Sequence, residues 1–208
     1  MRKTIRYTME DLSDIVAMLK KGGGVALPTE TVYGLAVDGR NDAAMWWLFD
    51  VKKRSREKAI SVLVSGMEMV EDYCQNIPQA AYRLAEKYWP GPLTMVLEDK
   101  GVVSTLTTGG TDTLGVRCPD HPMTLEVIRQ AGFALAAPSA NPSDQPSPKT
   151  AQEVLDYFDG RIEGVLDGGS CAMGVESTVV DLTGEDPKIL REGGIPGQEI
   201  LDFLKGQG

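Results

Sequence analysis

The sequence predicts an α/β protein of the α+β type, in which helices flank a mixed β-sheet. Short apolar segments typical of buried strands alternate with amphipathic segments typical of helices. These segments often follow the order strand–strand–helix, which a regular βαβ repeat would not produce. Eight or nine short strands and five or six helices are expected. The length of 208 residues fits one unit, so we predict a single domain over residues 1–208.

In the first half of the chain, helix-start signals separate the predicted strands. Thr8 and Asp11 have the spacing of a capping box, and the helix that follows ends at the glycines of residues 22–24. Asn41 or Asp42 can cap a second helix. Pro78 suits the first position of a third helix, which runs to residue 88. Between these helices we expect short, buried strands at residues 25–27, 35–37, 60–64 and 93–97.

The second half contains two helices with clear boundaries and one long polar loop. Pro122 and Gly132 bound a short helix, and Thr150 with Glu153 caps another that ends near residue 158. Residues 139–149 are rich in Ser, Pro, Asn and Asp, and loops of that length are usually functional or mobile. Strands are expected at residues 114–118, 133–137, 165–166, 178–182 and 189–190, before a terminal helix at residues 198–204.

Composition excludes several broad functions. The net charge of −9 and the pI near 4.7 argue against a broad nucleic-acid-binding surface. Residues 52–58 nevertheless carry a net charge of +4, which leaves −13 on the other 201 residues. A basic segment in an acidic protein suits a small polyanion better than a duplex. The sequence has no run of eighteen apolar residues and no signal peptide, and its three cysteines are widely spaced, so we expect a cytoplasmic protein with no membrane association and with reduced thiols.

Motif absences narrow the chemistry further. The sequence lacks the Walker-type phosphate loop and the G-x-G-x-x-G dinucleotide motif. His121 is its only histidine, and a residue before Pro122 is most simply a turn residue at a helix start. A Ser-His-Asp or Cys-His hydrolase would depend on that one side chain. No spacing typical of metal ligands is present, so we predict no metal site built from protein ligands.

The remaining candidates are hydroxyl, amide and cationic side chains near predicted strand and helix ends, where open α/β sheets bind ligands. Arg117 lies within an apolar strand, so it must be paired or face a ligand cavity. Several cations and hydroxyls without a protein base suit the binding of phosphate and carboxylate groups. The candidates of this kind are Thr31, Lys52, Arg54, Arg117, Ser139, Asn141, Ser177 and Arg191.

An ordered set of motifs across nearly the whole chain resembles the YrdC-type threonylcarbamoyl-adenylate synthases. Each motif is weak alone, but together and in this order they are specific. They are the PTETVYGL segment of residues 28–35, Lys52-x-Arg54, WPGPLT at 89–94, GVR at 115–117, PSAN at 138–141, STVVD at 177–181 and LR-x-G at 190–193.

The resemblance implies a three-layer fold with a twisted mixed sheet around a deep central cavity. It also implies that L-threonine, bicarbonate and ATP react to give threonylcarbamoyl-AMP and pyrophosphate, with Mg²⁺ held by the phosphates. The product would pass to a tRNA threonylcarbamoyltransferase that modifies the adenosine next to the anticodon, and direct tRNA binding would be weak. The chain resembles the form of the family that has no additional C-terminal domain.

The family pattern also implies residue roles. Lys52 and Arg54 would be catalytic and would contact the nucleotide. The threonine site would contain Thr31, Arg117, Ser139 and Ser177. The remaining nucleotide contacts would be Lys58, Thr113, Asn141, Ser147 and Arg191.

The sequence departs from the family pattern at four places. Ser55 replaces a common proline, Lys58-Ala59 replaces Asn-Pro, Leu63 replaces a histidine and Asp144 replaces a glycine. These differences concern substrate contacts more than the reaction.

Two alternatives to the synthase function stay open. The main alternative is a non-catalytic paralogue that binds RNA or a nucleotide in the same cavity. The other is a hydrolase that acts on the adenylate.

Overall fold

A computed structural model describes residues 3–206 and has a mixed α/β architecture with one open eleven-stranded sheet. The strands are β1 (Ile5–Tyr7), β2 (Val25–Leu27), β3 (Gly34–Asp38), β4 (Val62–Leu63), β5 (Cys74–Gln75), β6 (Leu93–Asp99), β7 (Thr113–Arg117), β8 (Leu135–Ala136), β9 (Gly164–Leu166), β10 (Thr178–Asp181) and β11 (Lys188–Arg191). The helices are α1 (Leu12–Lys20), α2 (Asp42–Lys52), α3 (Met67–Tyr73), α4 (Gln79–Tyr88), α5 (Thr105–Thr108), α6 (Pro122–Ala131), α7 (Ala151–Phe158) and α8 (Gly197–Leu204).

The sheet is mixed, as the strand–strand–helix order predicts. Its strand order is β1-β9-β2-β3-β8-β4-β7-β6-β10-β11, and β5 pairs with β6 beside this path. Four pairs, β1/β9, β2/β9, β4/β7 and β6/β10, are parallel. The other pairs, including β2/β3, β3/β8 and β6/β7, are antiparallel. The predicted fold class is therefore confirmed.

Both faces of the sheet are covered, which gives three layers. Along β3, Leu35 and Val37 belong to one apolar cluster, whereas Ala36 belongs to a second cluster. Because neighbouring side chains of a strand point to opposite faces, the two clusters lie on opposite sides of the sheet. The second cluster contains residues of α1 and α6, and the first contains residues of α2, α4, α7 and α8.

Three of the predicted helix starts are confirmed by the hydrogen bonds of their caps, whereas Pro78 precedes its helix by one residue and is not its first residue. Thr8 and Asp11 form a capping box around a single turn of 3₁₀-helix that leads into α1. Asn41 accepts from the Ala44 amide at 3.2 Å to cap α2. Thr150 accepts from the Glu153 amide, also at 3.2 Å, to cap α7. These contacts are local, so the sequence alone could predict them.

Four elements were not predicted: β1, α3, β5 and α5. Two predicted strands are also shorter than expected, because only Val62–Leu63 and Leu135–Ala136 are paired as strands. The prediction of eight or nine strands and five or six helices was therefore too low. No helix within residues 3–206 is long and apolar enough to cross a membrane.

Candidate active site

Strand ends from both halves of the chain converge on a cavity of about 240 Å³. Its walls come from the segments after β2, α2 and β8, from the strands β4, β6 and β7, from the start of β10 and from the end of β11. The polar and charged lining residues are Thr29, Thr31, Arg54, Ser61, Thr94, Arg117, Ser139, Glu176, Ser177 and Arg191.

The segment after β2 is shaped by one buried hydroxyl. Thr29 Oγ1 donates to the carbonyl of Val32 at 2.6 Å and accepts from the amides of Thr31 and Val32, both at 3.2 Å. It also lies 2.8 Å from Thr31 Oγ1. Pro28 ends the strand because it cannot donate to the ladder. The turn therefore places the Thr31 hydroxyl, which is predicted to contact threonine, in the cavity wall.

Arg117 is held by a buried ion pair. Its Nη2 donates to Glu30 Oε1 at 2.7 Å, and its Nε donates to the carbonyl of Gly91 at 3.3 Å. The second oxygen of Glu30 accepts from the backbone amide of Asp120 at 3.0 Å. Arg117 is thus both paired and facing the cavity, the two possibilities that its position in an apolar strand indicated. Its carboxylate partner was not identified from the sequence.

A second ion pair lies in the wall formed by β10 and β11. Arg191 Nη1 lies 2.7 Å from Glu176 Oε2, and Arg191 Nη2 donates to the carbonyl and the hydroxyl of Ser177 at 2.9 and 3.1 Å. Ser147 donates to Glu176 Oε1 at 3.2 Å. Ser177 Oγ in turn lies 2.8 Å from Thr94 Oγ1. This network joins the loop of residues 139–149 to the strand that begins at residue 178.

Lys52 is almost completely buried and does not line the cavity, although its catalytic role is predicted. Its ammonium group donates to the carbonyls of Ser139 and Asn141. Burial and the neighbouring charge of Arg54 lower the pKa of Lys52 to about 7. Lys52 therefore fixes the backbone from which Ser139 reaches the cavity, and its contribution to catalysis stays a prediction.

Asn141 is positioned by its own loop. Its Nδ2 donates to the carbonyls of Pro142 and Gln145 at 3.0 and 2.7 Å. Its Oδ1 is buried and has no hydrogen-bond partner among the described residues. A buried acceptor without a partner is costly, but Asn141 is not a cavity-lining residue, so the geometry does not connect this atom to a ligand in the cavity.

The basic segment contributes one cation to the cavity. Arg54 is half-buried, and its guanidinium donates to the carbonyls of Lys58 and Ala59 at 3.3 and 2.9 Å. Burial lowers the pKa of Arg54, and the charge of Glu176 opposes that shift. Lys58 is exposed and is not a lining residue. Only part of the basic segment therefore faces the cavity.

The structure brings together about half of the predicted site residues. Those that line the cavity are Thr31, Arg54, Arg117, Ser139, Ser177 and Arg191. The predicted residues that are not among the lining residues are Lys52, Lys58, Thr113, Asn141 and Ser147. The roles of all eleven residues stay predictions, because a position in the cavity wall does not test a ligand contact. The sequence analysis missed Glu176, for which only the adjacent Ser177 was a signal.

His121 has the turn position that its sequence context predicted. It immediately precedes Pro122, the first residue of α6. Burial lowers the pKa of His121. Since it is not a cavity-lining residue, the geometry gives no support to a hydrolase that depends on histidine.

Comparison with known proteins identifies the family. The family model described as "Telomere recombination" (Sua5/YciO/YrdC) matches residues 17–193. The chain belongs to the Sua5/YciO/YrdC family. The predicted family resemblance is therefore confirmed.

Two relatives of this family member are named threonylcarbamoyl-AMP synthase. The protein from Pyrococcus abyssi is 43% identical over 182 residues, covering 88% of this chain and 54% of the relative. The protein from Bacillus subtilis is 40% identical over 190 residues, covering 91% of this chain and 55% of the relative. The chain thus spans about half the length of these relatives.

A solved structure of P. abyssi Sua5 complexed with L-threonine supports the fold over almost the entire chain. Its TM-score is 0.93 at 39% sequence identity, and the match covers 98% of this chain and 61% of that chain. The family member described here therefore shares the architecture of a protein whose structure contains bound threonine.

Proposed function

We propose that this protein is an L-threonylcarbamoyladenylate synthase, a nucleotidyltransferase. It would convert L-threonine, bicarbonate and ATP into threonylcarbamoyl-AMP, pyrophosphate and water. The observation that carries the proposal is the convergence of three arginines, from the basic segment, β7 and β11, on one cavity. Arg117 with Ser177 suits a carboxylate, and Arg54 with Arg191 suits phosphates.

Positioning and charge stabilisation would account for most of the catalysis. Guanidinium groups offset charge that develops on phosphate during transfer, and a partly enclosed cavity strengthens that effect. The Thr31 and Ser139 hydroxyls would orient the amino acid. Asn141 would contact the nucleotide only if its loop opens, because its Oδ1 is buried and the residue does not line the cavity.

A magnesium ion would enter with the nucleotide. Within residues 3–206, no group of three or more His, Cys, Asp or Glu side chains is arranged to hold a metal ion. The cavity lining contains three arginines and one carboxylate, a set that fits phosphate oxygens better than a bare cation. The phosphates would therefore supply most of the magnesium ligands, as is common in nucleotide enzymes.

The reactive product has consequences for partners and location. A mixed anhydride hydrolyses in water, so we propose its transfer to a tRNA threonylcarbamoyltransferase in the cytoplasm. Direct binding of tRNA would be weak, because the basic segment is small and the chain has a net charge of −9.

No specific observation favours the non-catalytic paralogue, since the residues proposed to bind threonine and those proposed to bind phosphates occur together in one cavity.

Pyrophosphate release measures the proposed reaction. We expect release only when threonine, bicarbonate and ATP are all present, because the two anion sites must be filled together. Each of the twenty amino acids should be tested in the same assay. Equal release with threonine omitted would contradict the proposed function.

A further inference from the structure

Glu176 stands out because its charge opposes that of its surroundings. Among the described residues that line the cavity, it is the only carboxylate. It faces the half of the cavity that contains Arg54 and Arg191, where phosphates are proposed to bind. A carboxylate at this position competes with any phosphate for the same guanidinium group.

The contacts of Glu176 show how it is held at the cavity wall. One oxygen lies 2.7 Å from Arg191 Nη1, and the other accepts from Ser147 Oγ at 3.2 Å. Its side chain is still 42% exposed, and that of Arg191 is 46% exposed. Ion pairs with this exposure are weakly stabilising, so an incoming anion can replace the carboxylate.

The charges facing the cavity are nearly balanced. Arg117 is already neutralised by Glu30. Arg54 and Arg191 therefore face the single negative charge of Glu176 and leave a small positive excess. Burial lowers the pKa of Lys52 and of Arg54, and the charge of Glu176 acts against both shifts. Glu176 thus limits the positive potential of the phosphate side.

We propose that Glu176 determines the charge of the nucleotide that this cavity accepts, and that it favours magnesium-complexed ATP over metal-free ATP. This inference rests on the proposed function. Metal-free ATP carries about four negative charges at neutral pH, and its magnesium complex carries about two. The carboxylate repels the metal-free form more strongly, because electrostatic repulsion grows with the charge of the ligand.

The size of the effect follows from Coulomb's law. Two extra charges at roughly 6 Å from a carboxylate, in a water-like dielectric, correspond to a difference of about tenfold in affinity. Salt reduces this difference, since the cavity is open to solvent and exposed charges are screened. The comparison is therefore sharpest at low ionic strength.

The test measures ATP binding by isothermal titration calorimetry, without threonine or bicarbonate. ATP is titrated once with EDTA and once with excess magnesium chloride, into the wild type and into Glu176→Gln. We expect the substitution to tighten metal-free ATP about tenfold more than magnesium-complexed ATP. The preference of the wild type for the magnesium complex should shrink accordingly.

Asp50→Asn is the matched control. Asp50 also pairs with an arginine, Arg56 at 3.5 Å, but it does not line the cavity. Its substitution removes the same charge beside the basic segment and should leave the preference for the magnesium complex unchanged. A second variant, Glu176→Ala, also removes the charge and should give the same result. Thermal melts of both variants show whether either substitution lowers the stability of the fold.

Three outcomes would overturn the inference. Equal tightening of both ATP forms would mean that Glu176 does not select by charge. An equal effect of Asp50→Asn would assign the change to the general potential of the protein. Weaker binding of magnesium-complexed ATP by Glu176→Gln would make Glu176 a ligand of the metal. If the wild type binds neither form of ATP and also releases no pyrophosphate with threonine, bicarbonate and ATP together, the proposed function itself is wrong. Any of the three outcomes with normal wild-type binding rejects only the role of Glu176.

Discussion

The two sides of the cavity hold their arginines in different ways. The side chains of Arg117 and Glu30 are 9% and 10% exposed, whereas those of Arg191 and Glu176 are 46% and 42% exposed. Both ion pairs have a separation of 2.7 Å, so burial and not distance distinguishes them. A buried pair is fixed, because separating its charges is costly, and an exposed pair can exchange partners. The proposed threonine side is therefore preorganised, and the proposed phosphate side can change when an anion binds.

Arg117→Ala should have the largest effect. It leaves the buried Glu30 carboxylate without its partner, so we expect the free energy of unfolding to fall by about 3–5 kcal/mol. Urea unfolding at neutral pH measures this change. Arg191→Ala is the control on the exposed side and should cost less than about 1 kcal/mol. Equal losses in the two variants would remove the distinction between the two sides.

Arg54→Ala should lower kcat/KM for pyrophosphate release by about 100-fold, because a cation that offsets phosphate charge is lost. The unfolding midpoint should change little. The substitution removes hydrogen bonds to two carbonyls but also relieves the repulsion between Arg54 and Lys52. Activity is measured per folded molecule, beside a thermal melt.

Arg56→Ala is the control for this variant. Arg56 belongs to the same basic segment, but it stacks on Trp46 outside the cavity, with its guanidinium carbon 3.8 Å from the ring centroid. It should retain nearly full activity. A large fall in the midpoint of Arg54→Ala with activity per folded molecule intact would make Arg54 a structural residue.

Lys52 should make stability depend on pH. Its pKa is about 7 in the folded protein, compared with an ordinary value of 10.5, so between these values the unfolded chain binds a proton that the folded protein has released. The free energy of unfolding should therefore rise with pH from about 7 upward, by at most about 1.4 kcal/mol per pH unit. Urea unfolding at pH 7, 8 and 9 measures the rise relative to Lys52→Met. Parallel pH profiles of the two proteins would contradict the lowered pKa.

The smallest expected effect concerns the loop of residues 139–149. Two backbone hydrogen bonds tie the loop to other parts of the chain: Ser143 N donates to the carbonyl of Lys52, and Tyr33 N donates to that of Pro148, both at 2.9 Å. We expect ATP with threonine to slow amide hydrogen exchange within the loop by about fivefold, because local opening there costs little free energy. Such a change would fit a lid that protects the adenylate from water. Unchanged exchange across residues 139–149 at saturating ligand would mean that the loop is not a lid.

Local signals explain which parts of the fold the sequence could predict. The strand Val25–Leu27 is apolar at every position and is completely buried. The helix Pro122–Ala131 has a proline at its start and a left-handed glycine after its end. Both patterns depend on neighbouring residues only. The mixed sheet could be predicted because the order of these local elements restricts how strands can pair.

The missed elements depend on distant partners. The strand Ile5–Tyr7 has only one buried side chain, and its conformation comes from parallel pairing with Gly164–Leu166. The short helix Thr105–Thr108 consists mostly of threonine, a weak helix former, and is capped by Ser104. Neither segment has a periodic apolar pattern that the sequence analysis could use.

The features of the candidate site also divide into those that the local sequence could predict and those that depend on distant residues. The sequence determined which residues are chemically suited to anions, and the apolar strand around Arg117 required that arginine to be paired or to face a ligand. Only the tertiary structure decided that Glu30 is its partner, that Lys52 is buried away from the cavity, and that Glu176 forms an ion pair with Arg191. The physical reason is that ion pairing and burial depend on side chains brought together from distant parts of the chain, such as Glu30 and Arg117, which are 87 residues apart.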